Sequence, residues 1–233
     1  MGLDMSLYRE TTADMEIKNQ KLKDILETGE DRYGRRVDKQ EVCYWRKFNA
    51  LHKYFADHFG GEEKDNCVNM YMEITDIENL LSLLKKLKSK IKLGDGDVEN
   101  GYTCSDNKLN DTVLTESGSV KASELQNGDI IIRHNGEETE RCRVSDIRKD
   151  DKSVRYKATT LVKGKLVLNP EICEMLLPTE EGFFFGSTDY DQWYVEDIEN
   201  TIPMLEQVIK EHKKLVEAGV KEYDIDYYYR AWY

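Results

Sequence analysis

The two ends of this chain carry the same signature, a one-by-one alternation of apolar and polar residues. At the start, GLDMSLYR puts Leu3, Met5 and Leu7 on one side of an extended backbone. At the end, YDIDYYYRAWY sets Tyr223, Ile225, Tyr227 and Tyr229 against Asp224, Asp226, Tyr228, Arg230 and Trp232. A period of two marks a strand with one buried face. Between the ends the period changes. Gly182-Phe183-Phe184-Phe185-Gly186 is apolar on both faces and reads as a buried central strand. The expectation is an α+β fold, with N-terminal, central and C-terminal strands in one antiparallel sheet, packed with about three long helices.

The first long helix is read over 39–59, where Val42, Trp45, Phe48, Phe55 and Phe59 recur at helical spacing and Leu51 widens the stripe. The second spans 76–92, with Thr75-Asp76-Ile77-Glu78 as a capping box, Ile77, Leu80, Leu84, Leu87 and Ile91 as the buried stripe, and lysines toward its C-terminal end. The third starts after Asp189 or Asp191 and runs to about Ala218, with Pro203 expected to kink or break it near Asn200. A weaker helical pattern covers 14–28, and a short one runs from Asn169-Pro170 to about Leu177. GDGDVENG at 94–101 reads as a loop. From there to about 168 the pattern is β, with Asn135-Gly136 as a hairpin turn. The organisation inferred is one α+β domain over 1–233 that contains an antiparallel β insert at 105–170.

Composition narrows the function classes. Charged residues make up 34% of the 233 and apolar ones 39%, which is polar for a globular chain, but 14 Tyr, 6 Phe and 3 Trp supply burial that a disordered chain lacks. The formal charge of −12 disfavours direct nucleic-acid binding, which draws on a positive field. Five scattered cysteines contain no CxxC pair and no zinc spacing, so a reducing, cytoplasmic setting is expected. No apolar run is long enough for a membrane helix, and no secretion signal is read. MGLDMS matches a myristoylation pattern through Gly2 and Ser6, but the alternation favours a strand there.

Three constellations are candidate ligand sites. On the helix read at 39–59, Trp45, Asn49 and His52 fall on one stripe with Arg46 adjacent. An aromatic ring, an amide, an imidazole and a guanidinium could together recognise a base or a ribose phosphate; packing and backbone satisfaction are the alternative. At the turn Gly186-Ser187-Thr188-Asp189-Tyr190-Asp191, free amides at a helix start suit a phosphate or carboxylate, or else the two acids cap the helix themselves. On the last strand, Arg230 and Trp232 suit a planar ligand, as they also suit packing or pairing between two copies. Asp95, Asp97 and Glu99 fail the calcium-loop pattern, because Asn100 stands where glycine is needed. No nucleophile–base set, metal site or cofactor motif is found. TVLTESGSVKASELQNGDIIIR resembles the opening of a Hint or intein module, but Cys104 lies too far upstream for splicing and the TxxH block is absent.

MGLDMSLY, YWRKFNALHKYF, LPTEEGFFFGSTDYDQWYVEDIENT and YYYRAWY together resemble a family of small phage-encoded proteins, over perhaps half of the chain. The matched positions are Gly2 to Tyr8, Tyr44 to Lys47, Asn49, His52, Gly182 to Ser187, Tyr190 and Asp191. The resemblance implies a phage accessory gene acting in an infected host cell, a setting in which such genes often counter defence. The leading expectation is a protein that binds and sequesters a small nucleotide-like signal without turnover, alone or as a homo-oligomer. The rivals are an acidic inhibitor or DNA mimic acting on a host protein, and an unrecognised nucleotide-processing enzyme.

Overall fold

The computed structural model describes residues 2–11, 28–30, 36–60, 67–136, 138–182 and 185–233. The helix read at 14–28 falls almost wholly outside them, and so does the centre of the strand read at 182–186. The architecture is α+β with two antiparallel sheets, and the chain divides into two compact units, residues 1–92 with 168–233, and 93–167.

The first unit is built on β1 (Asp4–Thr11), β2 (Thr28–Glu30), β3 (Arg36–Arg46), β4 (Met70–Met72) and β11 (Ile225–Trp232), in the order β2-β3-β1-β11-β4. The two chain ends pair directly, from Asp4 opposite Trp232 to Thr11 opposite Ile225. Strand alternation then sorts the side chains. Leu3, Met5, Leu7, Trp45, Met70, Met72, Tyr227 and Tyr229 point inward and are all buried. The helices α1 (Asn49–Phe59) and α4 (Gln192–Glu217) supply the apolar cover of that inner face, and α2 (Ile74–Lys90) lies along α4. Ile77, Leu80, Leu84 and Leu87 form the buried stripe of α2 while Ile91, read as its last member, lies past the helix end, and Lys85 and Lys88 form ion pairs with Glu206 and Glu199 of α4. The short α3 (Pro170–Leu176) begins at the expected proline.

Several expectations are corrected. Residues 39–46 are not helical. They belong to β3, because Cys43 and Trp45 alternate with Tyr44 and Arg46 across a sheet whose central strand β1 binds them in register. The spacing of Val42, Trp45 and Phe48 mimicked a helix, but Lys47 adopts a left-handed backbone (φ 61°) and its amide bonds the Leu3 carbonyl, which separates strand from helix. The capping box of α2 lies two residues earlier than read, with the Glu73 amide donating to Asp76. Helix α4 runs unbroken through Pro203; Ile198, Thr201, Leu205 and Val208 are buried on both sides of it and hold the helix where one lost hydrogen bond would not. Tyr223 sits in a 3-10 turn before β11 and is 73% exposed. Gly182, Phe185 and Gly186 are not in a strand.

The second unit is a six-stranded sheet of β5 (Leu93–Lys108), β6 (Thr112–Thr115), β7 (Gly118–Lys121), β8 (Ile130–Asn135), β9 (Glu138–Lys149) and β10 (Ser153–Val167), ordered β5-β10-β9-β8-β6-β7. A hairpin joins β8 to β9 as expected, but Asn135 pairs with Glu138 as the last residue of β8, so the turn starts one residue later than read, at Gly136 (φ 67°). The stretch read as a loop at 94–101 is instead part of the long strand β5. Its acids are neutralised from neighbouring strands, Asp95 by Lys165, Asp97 by Lys163 and Arg141, and Glu99 by Arg143. Its Gly96 lies so close to Leu166 that a β-carbon there would clash. One side of the sheet buries Val113, Ala122, Leu125, Ile131, Cys142, Val144, Val154, Tyr156 and Ala158 as an apolar core.

Candidate functional site

Three candidates of the first constellation, Trp45 on β3 and Asn49 and His52 on α1, face inward. Trp45 is 5% exposed and its indole N–H donates to Thr201 Oγ1 at 2.9 Å. Asn49, 3% exposed, spends its amide on the loop that precedes α4. Its Nδ2 donates to the carbonyls of Phe185 (3.2 Å) and Ser187 (2.7 Å), and its Oδ1 accepts from the Glu180 amide at 3.4 Å. His52 is equally buried, with Nδ1 2.8 Å from the Tyr229 hydroxyl and its ring against Phe185, Tyr229 and Tyr233. Burial pulls its pKa down to about 4, so it is neutral at physiological pH. These three hold the fold together and are closed to a ligand.

The turn at 186–191 is likewise tied to itself. The Asp191 carboxylate caps α4 by accepting from the amides of Trp193 and Tyr194, so the anion position at the helix start is filled from within. Ser187 Oγ accepts the Asp189 amide, Thr179 Oγ1 donates to the Thr188 carbonyl, and the Tyr190 hydroxyl accepts the Thr179 amide. Gly186 takes a left-handed backbone (φ 91°) and lies against the Lys47 side chain. Of this group Ser187 alone is both exposed and hydroxyl-bearing.

Arg46, Arg230 and Trp232 behave differently, since all three point to the outer face of the first sheet. Register places Arg46, Asp4 and Trp232 in one cross-strand row, and Tyr44, Ser6 and Arg230 in the next. The central strand therefore contributes two short side chains, flanked on one side by Tyr44 and Arg46 and on the other by Arg230 and Trp232. Asp4 is half-buried between these taller walls, which leaves a shallow trough there, whereas Ser6 is fully buried and bonded to Glu41. A row of rings closes one end, with Tyr8 stacked on Tyr228 at 5.2 Å, Tyr71 beyond it and the Lys39 ammonium over the first two. At the other end stands Gly2, where a β-carbon would press on Lys47 and lie 3.6 Å from the Arg46 guanidinium.

The electrostatics of the trough are uneven. The floor acid Asp4 accepts a hydrogen bond from the Tyr44 hydroxyl, which raises the Tyr44 pKa. Glu41 accepts from Ser6 at 2.6 Å and from Tyr8. Arg46 and Arg230 have no carboxylate partner among the described residues. The sequence reading named Arg46, Arg230 and Trp232 but missed Asp4, Ser6 and Tyr44, because their grouping follows from strand register rather than spacing.

The chain matches no family model, no curated protein and no solved structure. Among the described residues no helix is long and apolar enough to cross a membrane.

Proposed function

We propose that this protein is a non-catalytic binder that holds a small, planar, anionic ligand of the nucleotide class in the trough along β1. One observation carries the reading. In a chain of net charge −12, two guanidiniums with no carboxylate partner among the described residues stand on either side of β1 near the half-buried Asp4, with an indole beside them. Guanidinium is suited to phosphate through paired donors, and indole to stacking on a base. A reading without turnover is supported by the placement of His52 and His212 on the inner side, away from the outer-face residues. The resemblance to phage proteins gives such a binder a use: withdrawing a nucleotide defence signal inside the infected cell.

The test is a thermal-shift panel of nucleotides, followed by heating and recovery of the ligand. The expected result is a shift with at least one nucleotide, its release unchanged, and affinity weakened about tenfold or more by Arg46→Ala or Arg230→Ala. No shift across the panel overturns the reading. The net charge itself favours a second reading, an acidic protein that blocks a host protein or mimics DNA. Stoichiometric capture of one host protein, undiminished in the trough variants, would select it.

A further inference from the structure

Resting on the reading of the trough as a nucleotide site, we infer that Arg46 and Lys47 form its phosphate end, so that the ligand carries a terminal, doubly charged phosphate. Successive side chains of a strand leave on opposite faces, so Arg46 on the outer face would send Lys47 inward. The left-handed backbone at Lys47 (φ 61°) breaks that alternation. Both side chains then lie over the buried Gly2. The point where a β-carbon would stand on Gly2 is 3.2 Å from Lys47 Cε and 3.7 Å from Arg46 Nη2. Two donors bonded to one phosphate can stand up to about 8 Å apart, so both cationic ends fall within its span.

Neither cation is neutralised by the protein around it. Among the described residues no carboxylate pairs with Arg46 or Lys47, and the acid opposite Arg46, Asp4, accepts from the Tyr44 hydroxyl instead. Like charges held this close repel, and an anion between them removes the repulsion. The backbone conformation of Lys47 is one ordinarily left to glycine, asparagine or aspartate, yet here it carries a long cation. The stem of that cation runs between two residues without side chains. Gly2 lies at Cε, and the β-carbon position of Gly186 is 3.5 Å from Lys47 Cβ. A side chain at Gly2 would press on Lys47 Cε, so glycine there keeps the place of the ammonium open. Two adjacent cations match a phosphate monoester, which carries close to two negative charges at neutral pH, better than a diester, which carries one.

Titration calorimetry compares the 5′-monophosphates of adenosine, guanosine, cytidine and uridine with their 3′,5′-cyclic forms, which keep base and ribose but carry a single charge. The unaltered protein should bind its best 5′-monophosphate about tenfold or more tightly than the cyclic counterpart, the worth of one charge-assisted hydrogen bond. Lys47→Met keeps the stem and removes the charge. It should bring the two forms within about twofold by weakening the 5′-monophosphate alone. No preference in the unaltered protein, a comparison that needs no variant to fold, would overturn the phosphate end and leave the trough reading standing. So would a preference that survives Lys47→Met, or an equal weakening of both forms. Inorganic phosphate bound as tightly as the monophosphates would support the phosphate end but overturn the nucleotide reading. Failure of every nucleotide and of phosphate to bind would overturn both.

Discussion

The two faces of the first sheet use polar side chains in opposite ways. On the inner face, Trp45, Asn49, His52 and His212 each reach a partner on another element: Thr201, the loop at 185–187, Tyr229 and Tyr227. Arg9, 1% exposed, reaches Glu211 and Gln40. These contacts are out of water, where an unmade hydrogen bond costs most, so they specify how helices seat on the sheet. On the outer face, Asp4, Ser6, Tyr8, Tyr44 and Glu41 bond mainly to one another, and Arg46, Arg230 and Trp232 have no side-chain hydrogen bond or ion pair among the described residues. Chemistry that looks functional in a sequence can serve folding, and the side that keeps its donors is the better place to look for a ligand.

That contrast can be broken experimentally. Leu7→Ala, at a fully buried inner position, should cost about 3 kcal/mol of stability in chemical denaturation. A cost near zero would mean that the inner face is not the core. Acid should act on the same face. His52 is held near pKa 4 when folded and titrates at about 6.5 when unfolded, so the unfolded chain binds more protons as pH falls between these values. Its contribution is complete above pH 6.5 and is lost toward pH 4, amounting to about 2 kcal/mol between pH 7.5 and pH 5. His52→Gln should flatten that part of the pH profile, and an unchanged slope would place the acid sensitivity elsewhere. The smallest effect belongs to the outer face: Arg46→Ala and Trp232→Ala should change stability by no more than about 0.5 kcal/mol. A larger loss would make these residues part of the scaffold and remove the distinction.

The second unit offers a different solution again. Its charges are spent on ion pairs across the sheet, with Arg141 bridging Asp97 and Glu116 while Lys163 holds the other oxygen of Asp97. Those acids looked like a loop because three glycines and three acids in eight residues suit no isolated strand. Only the facing lysines and arginines, some forty to seventy residues away, make an extended conformation favourable there. The misreading of 39–46 has a related cause. Val42, Trp45 and Phe48 satisfy a helical period, and Cys43 and Trp45 satisfy a strand period; pairing with β1 decided between them. The start of α1 at Asn49 and the turn at Lys47 were hidden for the same reason.

The sequence by itself determined the terminal strands, most of the apolar stripe of α2, the proline-led α3, a long α4 starting after Asp189 or Asp191 and a hairpin close to Asn135-Gly136, because each rests on contacts or backbone preferences within a few residues. It also marked Arg46, Arg230 and Trp232 as residues of interest. Only the tertiary structure decided that Asn49 and His52 face inward, that the first and last strands lie side by side, and that Asp4 falls between Arg46 and Trp232. Those outcomes depend on register between segments as far apart as residues 4 and 232, and register is set by the burial of whole faces, which no local stretch of chain encodes.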